Sequence, residues 1–405
     1  MCVKVKFKEL NSGYEGAKRV SRFSKKTHSK MIIAAVLVVL FLTVFILSDF
    51  GIIPLTAVTA RAKAFVSHDS DNFPIVTNSD STLNIKVLDD KILVLTTENF
   101  SVYSSHGKLS WSQPHNFADP AVSVNGSKAV VFDRSGTGFM LIDKSGVAYV
   151  GEAKDDIISA EYGKSGNYAL VTRGSGATSV LTVYTKRNIV DFQWDCAYEH
   201  ITSVALSDNG KFCGASLLGA ENGEIYTTVK YFGFDYSEVL NSQKFIGASP
   251  FSVEFTSNNI LTLYSDTGIY EILKKDEKCN IVSEYHSFEF NSYDVNKKGN
   301  YALSLSNYGS TDENSIKVYN GRGKEKAEII VDKPVSRIAL SDKYVFALTD
   351  NCILVYNLNG MKLSEINVVG EAENIYPTDE FVFVSSLDKI SRIYSFGNKE
   401  LKIAK

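Results

Sequence analysis

A unit of roughly forty residues recurs eight times after residue 75, and this repeat constrains the fold more than any other feature. Each unit starts with a tight polar turn that is followed by a short apolar run, and successive turns lie 36 to 49 residues apart. The turns are Asp89-Asp90, Asn125-Gly126, Ser165-Gly166, Asn209-Gly210, Asn258-Asn259, Lys298-Gly299, Asp342-Lys343 and Asp379-Glu380. Pairs of this kind join antiparallel strands, and the valine, isoleucine, tyrosine and phenylalanine of the runs favour strands.

Further apolar runs within each unit bring the number of strands to four. Four units end their third run in the same dipeptide, which occurs at Val102-Tyr103, Val183-Tyr184, Val318-Tyr319 and Val355-Tyr356. Four short strands per repeat are typical of a β-propeller blade, whose two apolar faces are buried by neighbouring blades. The sequence therefore predicts an all-β propeller of eight blades with four antiparallel strands each. The alternative is seven blades, with one unit split between the two chain ends.

Three short motifs resemble those of known propeller families. Gly107-Lys108-Leu109-Ser110-Trp111 is similar to the end of quinoprotein-like blades, and Ser207-Asp208-Asn209-Gly210-Lys211 resembles the turn of WD40-like blades. Trp194-Asp195 supplies one WD dipeptide. These motifs, the basic N-terminal segment and the apolar run described next occur together in this chain. In this arrangement it resembles an uncharacterised family of Gram-positive membrane-anchored propellers. This resemblance implies architecture and membrane placement, and it brings no catalytic residue.

The run Met31–Leu47 contains neither a charge nor a proline, which predicts one transmembrane helix. Residues 1–30 carry nine lysines and arginines against two glutamates, whereas the far flank has only Arg61 and Lys63. By the positive-inside rule, the N-terminus stays in the cytoplasm and the repeats are translocated. We therefore expect the basic segment to contact anionic lipid. A cleaved signal peptide is the alternative, with Ala60-Arg61-Ala62 as its cleavage site, but the distances from the apolar run are long for an ordinary signal.

These features predict four segments in a single-pass protein of the cell membrane. Residues 1–30 form a basic cytoplasmic tail, 31–48 a transmembrane signal-anchor helix, 49–74 a linker, and 75–405 an extracytoplasmic β-propeller.

Charge excludes nucleic acid as a partner. The first 63 residues hold 11 of the 43 basic residues and 3 of the 46 acidic ones, so the rest of the chain is near −11. Nucleic-acid binding depends on neutralising phosphates, which such a surface cannot do. The cysteines Cys196, Cys213, Cys279 and Cys352 are widely spaced without a CxxC pair, which favours buried free thiols over one or two disulfides.

The sequence offers no motif for catalysis, a cofactor or a metal. The histidines do not pair at ligand spacing, and a GxSxG nucleophile motif is absent. Quinone-dependent dehydrogenases of similar blade type carry cofactor-clamping residues, including adjacent cysteines, that this chain lacks. We therefore expect a protein without a cofactor that is not an enzyme.

The longest connections between second and third strands are predicted at Asp133–Gly138, Arg173–Thr178, Leu218–Glu224 and Asn307–Asn314. Such loops share one rim of a propeller and often carry function. The candidate partner-binding residues are Arg134, Arg173, Trp194, Tyr198, His200, Glu221, Asn222 and Tyr308. The sequence thus favours a membrane-anchored binding or scaffolding module for a protein or peptide in the cell envelope. The alternatives are a hydrolase acting at the channel mouth and a sensor ectodomain with a cytoplasmic partner.

Overall fold

The computed structural model describes residues 72–394 except 79, 275–277, 287, 308–309 and 369–371. The chain divides into two units at His68, and every described residue belongs to the second unit. The predicted tail, transmembrane helix and most of the linker lie outside the described residues. Within the described part, no helix is long and apolar enough to cross a membrane.

The described residues form eight antiparallel sheets of four strands each, which confirms the predicted eight-bladed propeller. The first strand in the chain, β1 (Ile75–Val76), belongs to the last blade. Blade 1 contains β2 (Thr82–Leu88), β3 (Lys91–Thr96), β4 (Asn99–Tyr103) and β5 (Leu109–Pro114). Blade 2 contains β6 (Pro120–Asn125), β7 (Lys128–Asp133), β8 (Gly138–Asp143) and β9 (Gly146–Glu152). Blade 3 contains β10 (Ile157–Tyr162), β11 (Tyr168–Arg173), β12 (Ser179–Tyr184) and β13 (Val190–Cys196).

The middle blades include the longest strands. Blade 4 contains β14 (His200–Leu206), β15 (Phe212–Glu221), β16 (Glu224–Gly233) and β17 (Asn241–Ile246). Blade 5 contains β18 (Pro250–Ser257), β19 (Ile260–Ser265), β20 (Gly268–Leu273) and β21 (Asn280–Glu284). Blade 6 contains β22 (Phe288–Val295), β23 (Tyr301–Asn307), β24 (Ser310–Tyr319) and β25 (Glu325–Val331). Blade 7 contains β26 (Arg337–Leu340), β27 (Tyr344–Leu348), β28 (Cys352–Asn357) and β29 (Lys362–Asn367). Blade 8 contains β30 (Asn374–Pro377), β31 (Phe381–Ser385) and β32 (Lys389–Tyr394).

Ring closure uses both ends of the described chain. The eighth sheet has the order β1-β32-β31-β30, and Ile75 pairs with Ile390 while Val76 pairs with Lys389. A blade split between the two chain ends was expected only for seven blades, whereas here the eighth blade is split. A strand of two residues is too short to produce a recognisable apolar pattern, so the sequence did not reveal it.

Packing between blades explains the apolar runs. The second strand of a blade is buried on both faces, as in β3, where residues 92 to 95 are all buried. The core cluster between blades 1 and 2 joins Leu93 and Phe100 to Val131. In contrast, the outermost strand β5 has no buried residue. Three of the four described cysteines are buried and Cys279 is partly exposed, and all four are free thiols.

The connections form two rims. We call the upper rim the side that holds the connections from second to third strands (for example 134–137, 174–178 and 222–223) and those between blades. The lower rim holds the connections from first to second strands, such as 89–90 and 126–127, and those from third to fourth strands. Two predicted upper-rim loops need correction, because β15 and β16 pair as far as Glu221 and Glu224, and β24 already begins at Ser310. Asn222 and Gly223 have φ values of 54° and 87°, which is the geometry of a two-residue hairpin, so Leu218–Glu224 is mostly strand.

Candidate functional site

The charged residues predicted for the upper rim are paired with neighbours. The guanidinium of Arg134 donates to Asp119 at 2.8 Å, and Arg173 lies 3.7 Å from Asp156. The ammonium of Lys244 donates to Glu221 at 2.6 Å. These side chains are exposed, so each pair contributes little to stability.

The predicted aromatic residues separate into two environments. Tyr198 lies between β13 and β14 and is 91% exposed, and His200 begins β14 beside it. Trp194 is on the outermost strand β13, where its ring packs 5.0 Å from Phe232 of blade 4, so it acts mainly in packing between blades. Asn222 lies at the tip of the long hairpin of blade 4, and Tyr308 is outside the described residues. The predicted set is thus spread over several connections and forms no single cluster, and its binding role stays a prediction.

Apolar side chains at the upper mouth of the central channel were not predicted. Leu83, Ile158 and Phe251 are 46%, 37% and 41% exposed although they lie on innermost strands. Each is the extra residue of a β-bulge, because the strand register shifts around it. Phe288 at the start of β22 is 38% exposed as well. We call these four side chains the mouth residues.

Deeper in the channel, the register aligns one residue from each innermost strand. These positions form what we call the channel ring: Lys86, Ser123, Glu161, Ala205, Glu254, Asp294, Ala339 and Tyr376. Three members are carboxylic acids, and one is a lysine. In blades 1, 3 and 5 the ring residue follows a mouth residue by three positions, which places it within roughly 10 Å along the strand.

The three ring carboxyls are half-buried, which is consistent with side chains that line a channel. Burial raises the pKa of Glu161 to about 7, against a hydrogen bond of 2.7 Å from the Ser123 hydroxyl and the charge of Lys86. Burial, together with the charges of Glu161 and Asp294, raises the pKa of Glu254 to about 8. Both glutamic acids therefore exchange protons near neutral pH.

At Asp294, backbone amides oppose the effect of burial. Burial raises its pKa to about 6, while hydrogen bonds from the backbone amides of Leu340 and Val295 and the charge of Lys86 oppose the rise. The Leu340 amide lies 2.7 Å from Oδ2 of Asp294.

Lysines cross the lower end of the channel. Lys297 of blade 6 lies 3.1 Å from Asp89 of blade 1, and its carbonyl accepts a hydrogen bond of 3.3 Å from Lys164 of blade 3. Lys164 also pairs with Asp208 at 2.9 Å. Beside these contacts lies a cavity of about 670 Å³ that is lined by Lys86, Asp294 and residues of blades 7 and 8.

The channel therefore has exposed apolar side chains at its upper mouth, three carboxyls in its middle and lysine bridges at its lower end. Among the described residues, no group of three or more histidine, cysteine, aspartate or glutamate side chains is arranged to hold a metal ion. The sequence shows one glutamate within each of the apolar strands β10 and β18, but only the register shows that Glu161 and Glu254 share one level.

Eight four-stranded blades around such a channel define the protein as an eight-bladed β-propeller. More narrowly, the chain belongs to the family of unknown function DUF5711, whose profile matches residues 67–394. No curated protein is similar to it in sequence.

Several solved propellers share the fold. A structure of the eukaryotic initiation factor superposes with a TM-score of 0.56 at 11% identity, covering 80% of this chain and 87% of that chain. The C-terminal WD40 domain of Sif2 gives a TM-score of 0.54 at 14% identity, with 80% and 99% covered. At such low identity these likenesses show the fold alone.

Proposed function

We propose that this propeller is a non-enzymatic binding module that docks a protein or peptide partner on its upper rim. The observation that carries the proposal is the exposure of the mouth residues, four large apolar side chains at the upper ends of innermost strands. Covering apolar surface gains about 25 cal/mol per Å², so exposed apolar side chains around a channel mouth favour a partner.

The surroundings of the mouth support the same function. Tyr198 adds a nearly fully exposed aromatic ring, and such residues are enriched at protein interfaces. Arg134, Arg173 and Glu221 are paired with neighbours, so their charges are already partly compensated within the rim.

We further propose that the propeller works outside the cytoplasm as a tethered module in the cell envelope. The uncharged run Met31–Leu47 and the basic residues before it support this placement. Tethering raises the local concentration of the propeller near membrane partners, so a modest affinity suffices.

Site-specific photocrosslinking in the cells that make the protein tests the docking surface. We would place benzoylphenylalanine at Tyr198 or Phe251 on the upper rim, and at Tyr236 or Met361 on the lower rim, where the native side chains are 50% and 60% exposed. The expected result is one stoichiometric crosslinked partner from the upper positions and none from the lower ones. Equal crosslinking from both rims, or none from either, would contradict the proposal.

The placement has its own measurement. Protease added to intact cells is expected to degrade the propeller and to leave a cytosolic control protein intact. If the propeller survives until the membrane is permeabilised, the extracytoplasmic placement is wrong.

A hydrolase acting at the channel is a second candidate, and the raised pKa values of Glu161 and Glu254 favour it, because a general acid must hold its proton near neutral pH. Release of reducing sugars or free amines from purified cell wall, lost in Glu254→Gln, would establish this activity. No release by the wild type would remove the candidate.

A further inference from the structure

The upper mouth and the channel ring lie in succession along the same strands, so a guest that covers one is placed next to the other. Ile158 precedes Glu161, and Phe251 precedes Glu254, by three residues each. A peptide whose apolar side chain settles on the mouth residues can therefore extend a long neighbouring side chain toward the ring.

The charge of the channel selects the chemistry of that side chain. Three carboxyls at the ring level face one ring lysine, Lys86, and the lower end adds Lys164. The polar groups around them are the Ser123 hydroxyl beside Glu161, the Tyr264 and Tyr293 phenols and Lys164 beside Glu254, and two backbone amides beside Asp294. Arg337 lines the cavity on the side formed by blade 7. The side of the channel formed by blades 3, 5 and 6 is thus acidic, and a cation entering it would restore neutrality.

We propose that the partner segment docking at the upper mouth carries an apolar side chain next to a lysine or arginine, whose cationic group enters the channel and pairs with Glu161, Glu254 and Asp294. This inference rests on the proposed function, since it names the chemistry of the partner at the same surface.

The direction of insertion follows from the lower end. Lys297 and Lys164 cross it and are held there by Asp89 and Asp208, so paired side chains bridge the channel on that side. From the upper side, the guest meets the mouth residues before it reaches the acids, and a guest that covers them excludes water and so strengthens the attraction.

Protons must leave when the cation arrives. Near neutral pH the raised pKa values keep part of the three carboxyls protonated, and an adjacent cation favours their ionised forms. Binding of a cationic guest is therefore expected to release protons, which a purely apolar guest would not cause.

Selection of a random peptide library displayed on phage, against the full chain in detergent micelles, tests this inference. We expect recovered sequences to combine an aliphatic or aromatic residue with an adjacent lysine or arginine.

Synthetic copies of the recovered peptides should bind at least about tenfold more weakly to the triple variant Glu161→Gln, Glu254→Gln, Asp294→Asn. Peptides in which glutamate replaces the basic residue should not bind. Calorimetry in buffers of different ionisation enthalpy should show proton release. The single variant Glu254→Gln should weaken binding in the same direction, which keeps the test usable if the triple variant fails to fold.

A matched control neutralises two acids on the lower rim. Asp235→Asn with Glu238→Gln removes exposed carboxylates from the connection between β16 and β17 and should bind the same peptides as the wild type does. Recovered peptides without basic residues, equal affinity for the wild type and the channel variants, or recovery of no peptide would each overturn the inference. Crosslinking from Tyr198 and Phe251 reports separately on the docking surface. If a partner is crosslinked but the peptide selection fails, docking at the upper rim stands and only the proposal that the partner inserts a lysine or arginine is refuted.

Discussion

Replacing Glu161 with glutamine is expected to stabilise the propeller at alkaline pH. The folded state holds the proton of this carboxyl more tightly than the unfolded chain does, because burial raises its pKa from 4.5 to about 7. The resulting stabilisation is complete below pH 4.5 and is lost as the pH rises to about 7. Since each pKa unit corresponds to about 1.4 kcal/mol, the full loss amounts to about 3 kcal/mol. Solvation from the open side of the channel offsets part of it, so we expect about 2 kcal/mol.

Chemical denaturation of the full chain in detergent, followed by tryptophan fluorescence at pH 4.5 and at pH 8.5, measures the effect. Glu161→Gln should match the wild type at pH 4.5 and exceed its free energy of unfolding by about 2 kcal/mol at pH 8.5. The glutamine oxygen can still accept the hydrogen bond from Ser123, so that contact is kept. Glu254 titrates in the same range, so the variant's stability should fall less steeply with pH without becoming flat.

Glu238→Gln, at an exposed position on the lower rim, is the control and should leave the pH dependence unchanged. If the wild type and Glu161→Gln lose stability in parallel between pH 4.5 and 8.5, the ring carboxyl does not carry its raised pKa, and the description of an enclosed acidic channel is wrong.

Four other substitutions test the closure, two turns and the rim. Arg392 is 1% exposed with its guanidinium 4.9 Å from the Phe73 ring, so Arg392→Met should lower the free energy of unfolding in denaturant by about 2 kcal/mol. A Cβ at Gly299, where φ is 76°, would clash with the backbone oxygen of Thr256, so Gly299→Ala should cost more than about 2 kcal/mol in the same assay. Gly126 has a similar φ of 62° but open space around it, so Gly126→Ala should cost about 1 kcal/mol. Tyr198→Ala should leave the thermal midpoint unchanged, because the side chain is 91% exposed, and should reduce partner capture by crosslinking from Phe251.

Controls for these variants come from the same chain. Arg322→Met removes an exposed cation from a lower-rim turn and should change stability by less than about 0.5 kcal/mol. An equal loss in Arg322→Met and Arg392→Met would refute the closing role of the buried guanidinium. Equal losses at Gly299 and Gly126 would refute the close approach to the neighbouring blade.

The regular spacing of the turns predicted the architecture, because every blade consists of four short strands joined by turns and buries both of its faces against neighbouring blades. The hairpin at Asn222-Gly223 shows where spacing alone failed: a long gap between apolar runs indicated a loop, although the Asn-Gly pair itself favours paired strands. Trp194 shows a second limit, since a polar-aromatic stretch at a blade end serves packing as readily as recognition.

The channel ring could not be predicted from one repeat at a time. Its members align only after each bulge is placed, and a bulge shifts the register by one residue without changing the composition of its strand. The charges of Lys86 and Glu161 are therefore plain in the sequence, whereas their shared level in the channel follows from tertiary structure.

Pairing of β1 with β32 has a consequence for biosynthesis. The residues that fasten the ring are the first of the propeller to be made, and their partners are the last, more than three hundred positions later. Phe73 and Ile75 lack their packing partners while seven blades assemble. A growing chain therefore exposes these apolar side chains until the last blade is made. A chain truncated before the last blade would form an incomplete ring whose first and last blades both expose an apolar face. Such fragments should aggregate faster than the full-length protein.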